Sequence, residues 1–234
     1  MTDTTGFLAA TRVFYDAIAE DYAERFRNQL VDRPLDRALL AGFAELVGDG
    51  AVADLGCGPG VVTSYLASLG LDVFGLDLSS SMLAVARREN PGLRFAQGSM
   101  LDLALADGSL AGVVSWYSSI HTPVDQLPVL FAEFYRVLRP GGRLLVAFQV
   151  GEEPLRLDRP MGHPVALDFQ RRRPERIAEL LADAGFALGS STVRQPEERI
   201  GESVPQALLI ARKPGDPGPG DPGDSGDPGA PADS

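Results

Sequence analysis

Residues 51–60 read AVADLGCGPG, a five-residue apolar run that ends in three glycines spaced two apart. No other feature limits the fold as strongly. A short apolar run bounded by a glycine-rich turn reads as a buried strand. The glycines let the backbone bend sharply and let another group approach the main chain closely. The next nine residues, VVTSYLASL, read as a helix that stops at Gly70. Strand, tight turn and helix in that order open a parallel α/β unit.

The alternation continues along the chain. Residues 72–76 form a second short strand, and Ser79 is placed to N-cap a helix running through Arg88. Residues 93–97 and 111–117 read as strands, 127–138 as a helix, and RPGGR at 139–143 as a turn into a strand at 144–148. A helix at about 174–184 ends at Gly185. Strands near 186–194 and 204–212 have no helix between them, so their short connection requires an antiparallel pair. The expected architecture is α/β: a Rossmann-like, doubly wound, seven-stranded mixed sheet with helices on both faces and a C-terminal antiparallel hairpin.

Three segments lie outside that alternation. In residues 11–28, Phe14, Ile18, Tyr22 and Phe26 recur every four residues, which predicts an amphipathic helix or a broken pair. Pro34 starts a second helix running to about Val47. We read residues 1–48 as N-terminal lid helices. The connection from about 150 to 173 is too long for a simple turn and is read, over 151–173, as an inserted cover over a substrate mouth. Residues 214–234 hold six prolines, six glycines and five aspartates, with no aromatic or branched aliphatic side chain. Such a segment buries too little surface to offset its ordering entropy, so a disordered tail is expected after a folded domain of residues 1–213.

Composition removes several function classes. The net charge of −11 argues against nucleic acid or an anionic membrane as a partner. One cysteine and two histidines leave no disulfide framework and little room for a metal centre, so no metal is expected. Lysine occurs once, at Lys213, which takes Schiff-base and phosphate-loop lysine chemistry out of the interior. Residues 1–10 lack the basic start and apolar run of a signal peptide, and no run reaches the roughly 18 apolar residues of a membrane helix. A soluble cytoplasmic protein is the expectation.

In a doubly wound sheet the ligand sits beyond the carboxyl ends of the strands, where strand order reverses. Asp54-Leu55-Gly56-Cys57-Gly58-Pro59-Gly60 falls there. A dinucleotide site would show G-x-G-x-x-G with an acid about 20 residues on. Asp77 satisfies the acid, but Val61 stands where the third glycine belongs. An NAD(P)-dependent oxidoreductase is therefore the weaker reading.

DLGCGPG after a strand is similar to the first motif of class I S-adenosylmethionine-dependent methyltransferases of the small-molecule type. The resemblance extends to YDAIAEDYAERF at 15–26, GLDLSSSML at 75–83, FAQGSMLDL at 95–103 and RVLRPGGRLLV at 136–146. It implies a loop of Asp54, Gly56, Cys57 and Gly58 around the methionine portion of S-adenosylmethionine, and Asp77, with Leu78 beside it, on the ribose hydroxyls. It also implies Met82 on the adenine face and Ser99-Met100 at the third-strand exit, where the family commonly has aspartate in place of Ser99. Asp102 is nearby as a substitute acceptor. Trp116 and Tyr117 follow the fourth strand and either pack on the adenosine or wall the methyl group. Tyr15 and Tyr22, seven residues apart, share a helix face, from which a tyrosine in similar enzymes reaches the cofactor carboxylate. Arg27 is a second candidate for that carboxylate, although a solvent-facing arginine is the plainer reading.

His121 sits just past the fourth strand, where a histidine can take the proton released on O- or N-methylation. We take His121 and Tyr15 as the catalytic candidates and His163, in the cover, as a second base. The Arg171–Arg173 run reads as a solvated helix start. The implied activity is methyl transfer from S-adenosylmethionine to a small organic acceptor, at oxygen, nitrogen or carbon. The alternative is a relative that binds the cofactor and catalyses a different reaction, or only binds ligand.

Overall fold

The computed structural model of the chain describes residues 4–215, so the expected tail at 214–234 lies, but for its first two residues, outside them. Along the chain run α1 (Thr4–Phe26), α2 (Pro34–Val47), β1 (Ala51–Leu55), α3 (Val61–Ser68), β2 (Asp72–Asp77), α4 (Ser80–Glu89), β3 (Arg94–Gln97) and β4 (Leu110–Trp116). There follow α5 (Leu127–Val137), β5 (Leu138–Gln149), β6 (Leu155–Asp158), β7 (Ala166–Phe169), α6 (Pro174–Asp183), β8 (Ala187–Arg194) and β9 (Gln206–Arg212). One seven-stranded sheet has the order β3-β2-β1-β4-β5-β9-β8. Its first five strands are parallel, and β9 runs antiparallel to both β5 and β8. The chain moves outward from β1 to β3, then returns to β4 on the other side of β1. The switch point therefore lies between β1 and β4.

Alternating side chains feed two cores. Val113, Leu144, Val146 and Phe148 pack with Leu127, Phe131, Phe134 and Ile177 of α5 and α6. Val52, Val114, Leu145 and Ala147 pack with Leu40, Phe43 and Leu66 of α2 and α3. Because both faces of β4 are covered, all seven of its residues are buried and its sequence reads as a continuous apolar run. The α1 helix adds a third cluster, with Phe14, Ile18 and Ala19 against Met82 and Val85 of α4.

Three local readings change. The first helix is continuous and begins at Thr4, seven residues earlier than its periodicity suggests. RPGG at 139–142 lies inside β5, which pairs through Leu138, shifts register opposite Leu110–Gly112 and resumes at Arg143. Gly141 takes φ +81° at that bulge, a region open to glycine, and its amide donates to the Lys213 carbonyl at 2.9 Å. The long connection after β5 folds into its own antiparallel hairpin, β6–β7. Leu157, Val165, Leu167 and Phe169 of this hairpin pack on the α1 cluster.

A buried ion-pair network ties α2 to the terminal hairpin. Arg194 donates to Asp36 at 3.0 Å and to both oxygens of Glu202 at 2.5 and 2.7 Å. Asp36 has no exposure to solvent.

Candidate active site

A cavity of about 520 Å³ opens at the carboxyl ends of β1, β2 and β4, at the switch point. Its floor is the turn after β1. Gly56 and Gly58 adopt φ of +75° and +53°, the left-handed region that favours glycine. The amides of Gly56 and Cys57 both donate to the Leu76 carbonyl, at 2.7 and 3.1 Å, which pins the turn to β2. A Cβ on Gly56 would stand 2.3 Å from the Ser118 Cβ, so any larger residue would displace the β4 exit. A Cβ on Gly58 would meet nothing within 4 Å. The main chain at Gly58 is thus bare toward open space.

Asp77 closes one wall. Its carboxylate accepts from the Gly58 amide and from the Ser79 amide, both at 2.8 Å. These bonds fix its orientation, while burial raises its pKa. Asp54, almost fully buried, accepts from Thr63 Oγ1 at 2.6 Å, and burial pushes it up to about 7. Cys57 is buried, with its thiol pKa raised by burial, which makes it a loop-filling side chain rather than a nucleophile.

Helix α1 and the β6–β7 hairpin form the roof. Asp16 of α1 accepts from Ser79 Oγ at 2.7 Å and the Ser81 amide at 3.1 Å, docking α1 on the N-terminus of α4. From α1, Tyr15 brings its hydroxyl 2.7 Å from His121 Nε2. The His121 ring packs edge-on against Tyr15 and Phe169, with centroids 5.2 and 4.7 Å away. Burial, with the Arg172 cation adding to it, pushes His121 down to about 4, while burial raises Tyr15 well above its ordinary value. At neutral pH the pair is uncharged. The geometry suits a Tyr15 hydroxyl that donates to an unprotonated Nε2. Tyr22, one helix face along, is pushed up to about 12 by burial, with Asp77 contributing.

The sequence-derived candidates converge. Tyr15, Tyr22, Asp54, Gly56, Cys57, Gly58, Asp77, Leu78, Met82, Ser99, Met100, Trp116, Tyr117 and His121 all line this cavity. Met82 also belongs to the α1–α4 cluster. The Ser99 hydroxyl accepts from the Leu101 amide at 3.2 Å, so part of its capacity is spent on its own turn. Tyr117 holds a strained φ of +54°.

Three side chains depart from expectation, and Arg27 takes its plainer, solvent-facing reading. Asp102 is exposed and does not reach the cavity. His163 lies outside the cavity and meets Asp21 at 2.7 Å. Arg27 lies outside it as well and pairs with Glu24 and Glu89, each at 3.1 Å. Arg172, expected in solvent, is 7% exposed because the return from the hairpin tucks it beneath the His121 turn.

The cavity also holds residues the sequence did not single out, among them Thr11, Arg33, Gln149 and Phe169. Thr11 was findable, since it lies four residues before Tyr15 on the same helix face. Gln149 carried no signal, because its place depends on where β5 ends. Trp116 Nε1, Tyr117 Oη, Gln149 Oε1 and Thr11 Oγ1 are buried without a hydrogen-bond partner among the described residues. Native interiors seldom leave such atoms unmatched, so they mark a surface shaped for a polar ligand.

Residues 52–142 match a family described as a methyltransferase domain. Over 98 residues the chain is 40% identical to a malonyl-[acyl-carrier protein] O-methyltransferase of Pectobacterium atrosepticum, covering 42% of this chain and 37% of that one. Over 117 residues it is 37% identical to a demethylmenaquinone methyltransferase of Beutenbergia cavernae, covering 50% and 48%. Over this stretch the chain is similar to methyltransferases. The aligned parts span less than half the length of both relatives. The fold agrees: a Burkholderia thailandensis 1,6-didemethyltoxoflavin-N1-methyltransferase superposes with a TM-score of 0.69 at 21% identity, covering 92% of each chain.

The cavity fits S-adenosylmethionine. The bare main chain at Gly58 gives room for a ligand against the backbone, and the fixed Asp77 carboxylate offers oxygens to paired hydroxyls. Buried Trp116 and Tyr117 supply unspent donors on the other wall.

Proposed function

We propose that this chain moves a methyl group from S-adenosylmethionine to a small organic acceptor. One observation carries the reading: Asp77, held by Gly58 and Ser79, stands beside the glycine turn on a cavity roofed by α1 and the hairpin. On this reading the turn from Asp54 to Gly58 and Tyr22 hold the amino-acid end. Asp77 and Leu78 hold the ribose, with Met82, Ser99 and Met100 around the base. Trp116 and Tyr117 form the wall between cofactor and acceptor. The bound sulfonium supplies an already activated methyl group, so the chain's task is positioning and exclusion of water. Residues 1–48 act as a lid and 151–173 as the acceptor's cover.

His121 accepts the acceptor's proton at Nε2 as Tyr15 gives way to the acceptor hydroxyl or amine. A base whose conjugate acid has a pKa of about 4 serves an acceptor that loses its proton as the new bond forms. The acidic surface and the enclosed cavity support a small molecule over nucleic acid, and among the described residues no helix is long and apolar enough to cross a membrane. We place its work in the cytoplasm.

Calorimetry with S-adenosylhomocysteine and with NAD tests the cofactor: the first binds and the second does not. A mass-spectrometric screen of metabolites for the gain of one methylene tests the reaction. Binding of the homocysteine product with no methylated metabolite would favour the non-methylating alternative.

A further inference from the structure

Arg172 stands beneath the catalytic candidate in an unusual setting. Its side chain is nearly buried, and among the described residues no carboxylate lies within ion-pair distance of it. A buried cation without an acid is costly and persists where its charge or its hydrogen bonds are used. Here the guanidinium donates to the carbonyls of Ser119, at 3.3 Å, and Thr122, at 2.5 Å. Those two residues bracket the short turn that carries His121. The backbone around Arg172 is equally fixed: its amide donates to the Gln149 carbonyl at 3.0 Å, and its carbonyl accepts from Gly151 at 3.3 Å. Two residues earlier, the Gln170 amide donates to the Ile120 carbonyl at 2.9 Å. The base of the cover hairpin, the end of β5 and the His121 turn thus meet at one side chain.

We propose that Arg172 is the positioning residue of the acceptor site: its Nη2, donating to the Ser119 and Thr122 carbonyls, holds the 119–122 turn so that His121 presents Nε2 to Tyr15. The groups facing His121 support this. From α1 come Tyr15, which is uncharged, and Tyr22 beyond it. From the hairpin come the Phe169 ring and the backbone of Asp168, whose carboxylate is turned away to Arg156 at 2.9 Å. Asp77, bound by Gly58 and Ser79, lines the same cavity, as do Asp54, Glu202, Arg25 and Arg33. Arg172 is the cation that acts on the ring, and it acts in the same direction as burial. Arg171 and Arg173 cannot replace it, because each points elsewhere: Arg171 packs on Gly151 and Arg173 reaches Glu152 and Glu175.

The inference rests on the proposed role of His121, but its test needs no acceptor. The chain has two histidines, so imidazole NMR shows two sets of signals, and His163→Asn identifies them. In the full-length protein saturated with S-adenosylhomocysteine, His121 is expected to stay neutral with an acceptor-type Nε2 from pH 8 to about pH 5. In Arg172→Met the Nε2 signature of the Tyr15 bond weakens, and the titration midpoint moves upward, while burial still holds it below the ordinary histidine value. Arg172→Lys keeps the charge and a donor for the two carbonyls, and restores the Nε2 signature in part. A wild-type His121 that titrates between pH 6 and 7 overturns the proposal without any variant. So does a folded Arg172→Met that binds the homocysteine product normally and leaves both signals unmoved. Failure of the wild type to bind that product would instead undo the cofactor assignment, a separate outcome.

Discussion

The Tyr15 hydroxyl and His121 Nε2 lie 2.7 Å apart across 106 residues of sequence. The bond joins the helical roof to the exit of β4, so the position of α1 and the orientation of the imidazole are tied together. If His121 takes the acceptor proton, His121→Ala lowers kcat by about 10²–10⁴-fold and leaves S-adenosylhomocysteine affinity unchanged. Tyr15→Phe keeps the ring but loses the bond, and its deficit is smaller. With its pKa lowered to about 4, the ring is a base above that pH and a spent one below it. The acid limb of the rate should therefore lie near pH 4, not near the ordinary histidine value. A profile falling at pH 6.5, or an alanine variant within a few-fold of wild type, removes His121 from the reaction.

Asp77 gives a sharper test of the cofactor reading. Both of its oxygens are held by backbone amides, so its position does not depend on a ligand. Asp77→Ala should weaken S-adenosylhomocysteine binding by about 2–4 kcal/mol, because two buried hydroxyls lose their acceptor. Asp77→Asn should fall between. Calorimetry that finds the alanine variant binding as well as wild type would rule the ribose contact out.

Most of the framework was written in the sequence, because periodicity and glycine placement are local properties. The β1 run, Ser79 as a cap and the antiparallel end at Gln206–Arg212 all follow from residues near them in the chain. Ser79 does accept from the Met82 amide, at 3.1 Å. What could not be read is tertiary. Leu155–Asp158 and Ala166–Phe169 have four residues each, too few for alternation to stand out, and they hold together by packing on Phe14 and its neighbours. Arg172 sits in a triple-arginine run that reads as solvated surface. Only the return of the hairpin under the β4 exit explains why the middle one is buried. The cavity candidates were legible as a set because strand ends and α1 positions are countable, whereas Gln149 required the register of β5 against β9.

Asp54 links stability to function with opposite signs. Its folded pKa of about 7 exceeds the unfolded value. Its stabilising contribution is therefore present below about pH 4 and is lost as pH rises through about 7. Asp54→Asn removes that loss while Thr63 can still donate to the amide oxygen. At pH 8 the ligand-free variant should be more stable than wild type, by on the order of 1–3 kcal/mol, and at pH 4 the two should be close. If the carboxylate faces the cofactor's ammonium, the same variant binds S-adenosylhomocysteine about tenfold more weakly. Thermal melts at the two pH values check the first claim and calorimetry the second. Equal melting at pH 8 would show that Asp54 is not penalised by its burial.

The network of Asp36, Arg194 and Glu202, which borders the cavity through Glu202, should behave as a unit. Arg194 is 6% exposed at its side chain and meets two carboxylates that are 1% and 8% exposed. Removing the arginine leaves both acids close together in a dry place with Arg33 as their remaining cation, at the longer distances of 4.0 Å from Asp36 and 3.8 Å from Glu202. Arg194→Met should cost about 3–5 kcal/mol, the range for breaking a buried pair from one side. Burial already raises the Asp36 pKa, and loss of Arg194 raises it further. The folded variant can then hold a proton that wild type does not, so its deficit is largest at pH 8 and shrinks as pH falls toward 5. Adding Asp36→Leu to Arg194→Met removes the buried charge and should recover part of the loss at pH 8. Urea denaturation of the single and double variants at both pH values checks the sign. A single-variant deficit that is the same at pH 5 and pH 8 would mean that lost packing, rather than an unpaired carboxylate, sets the cost.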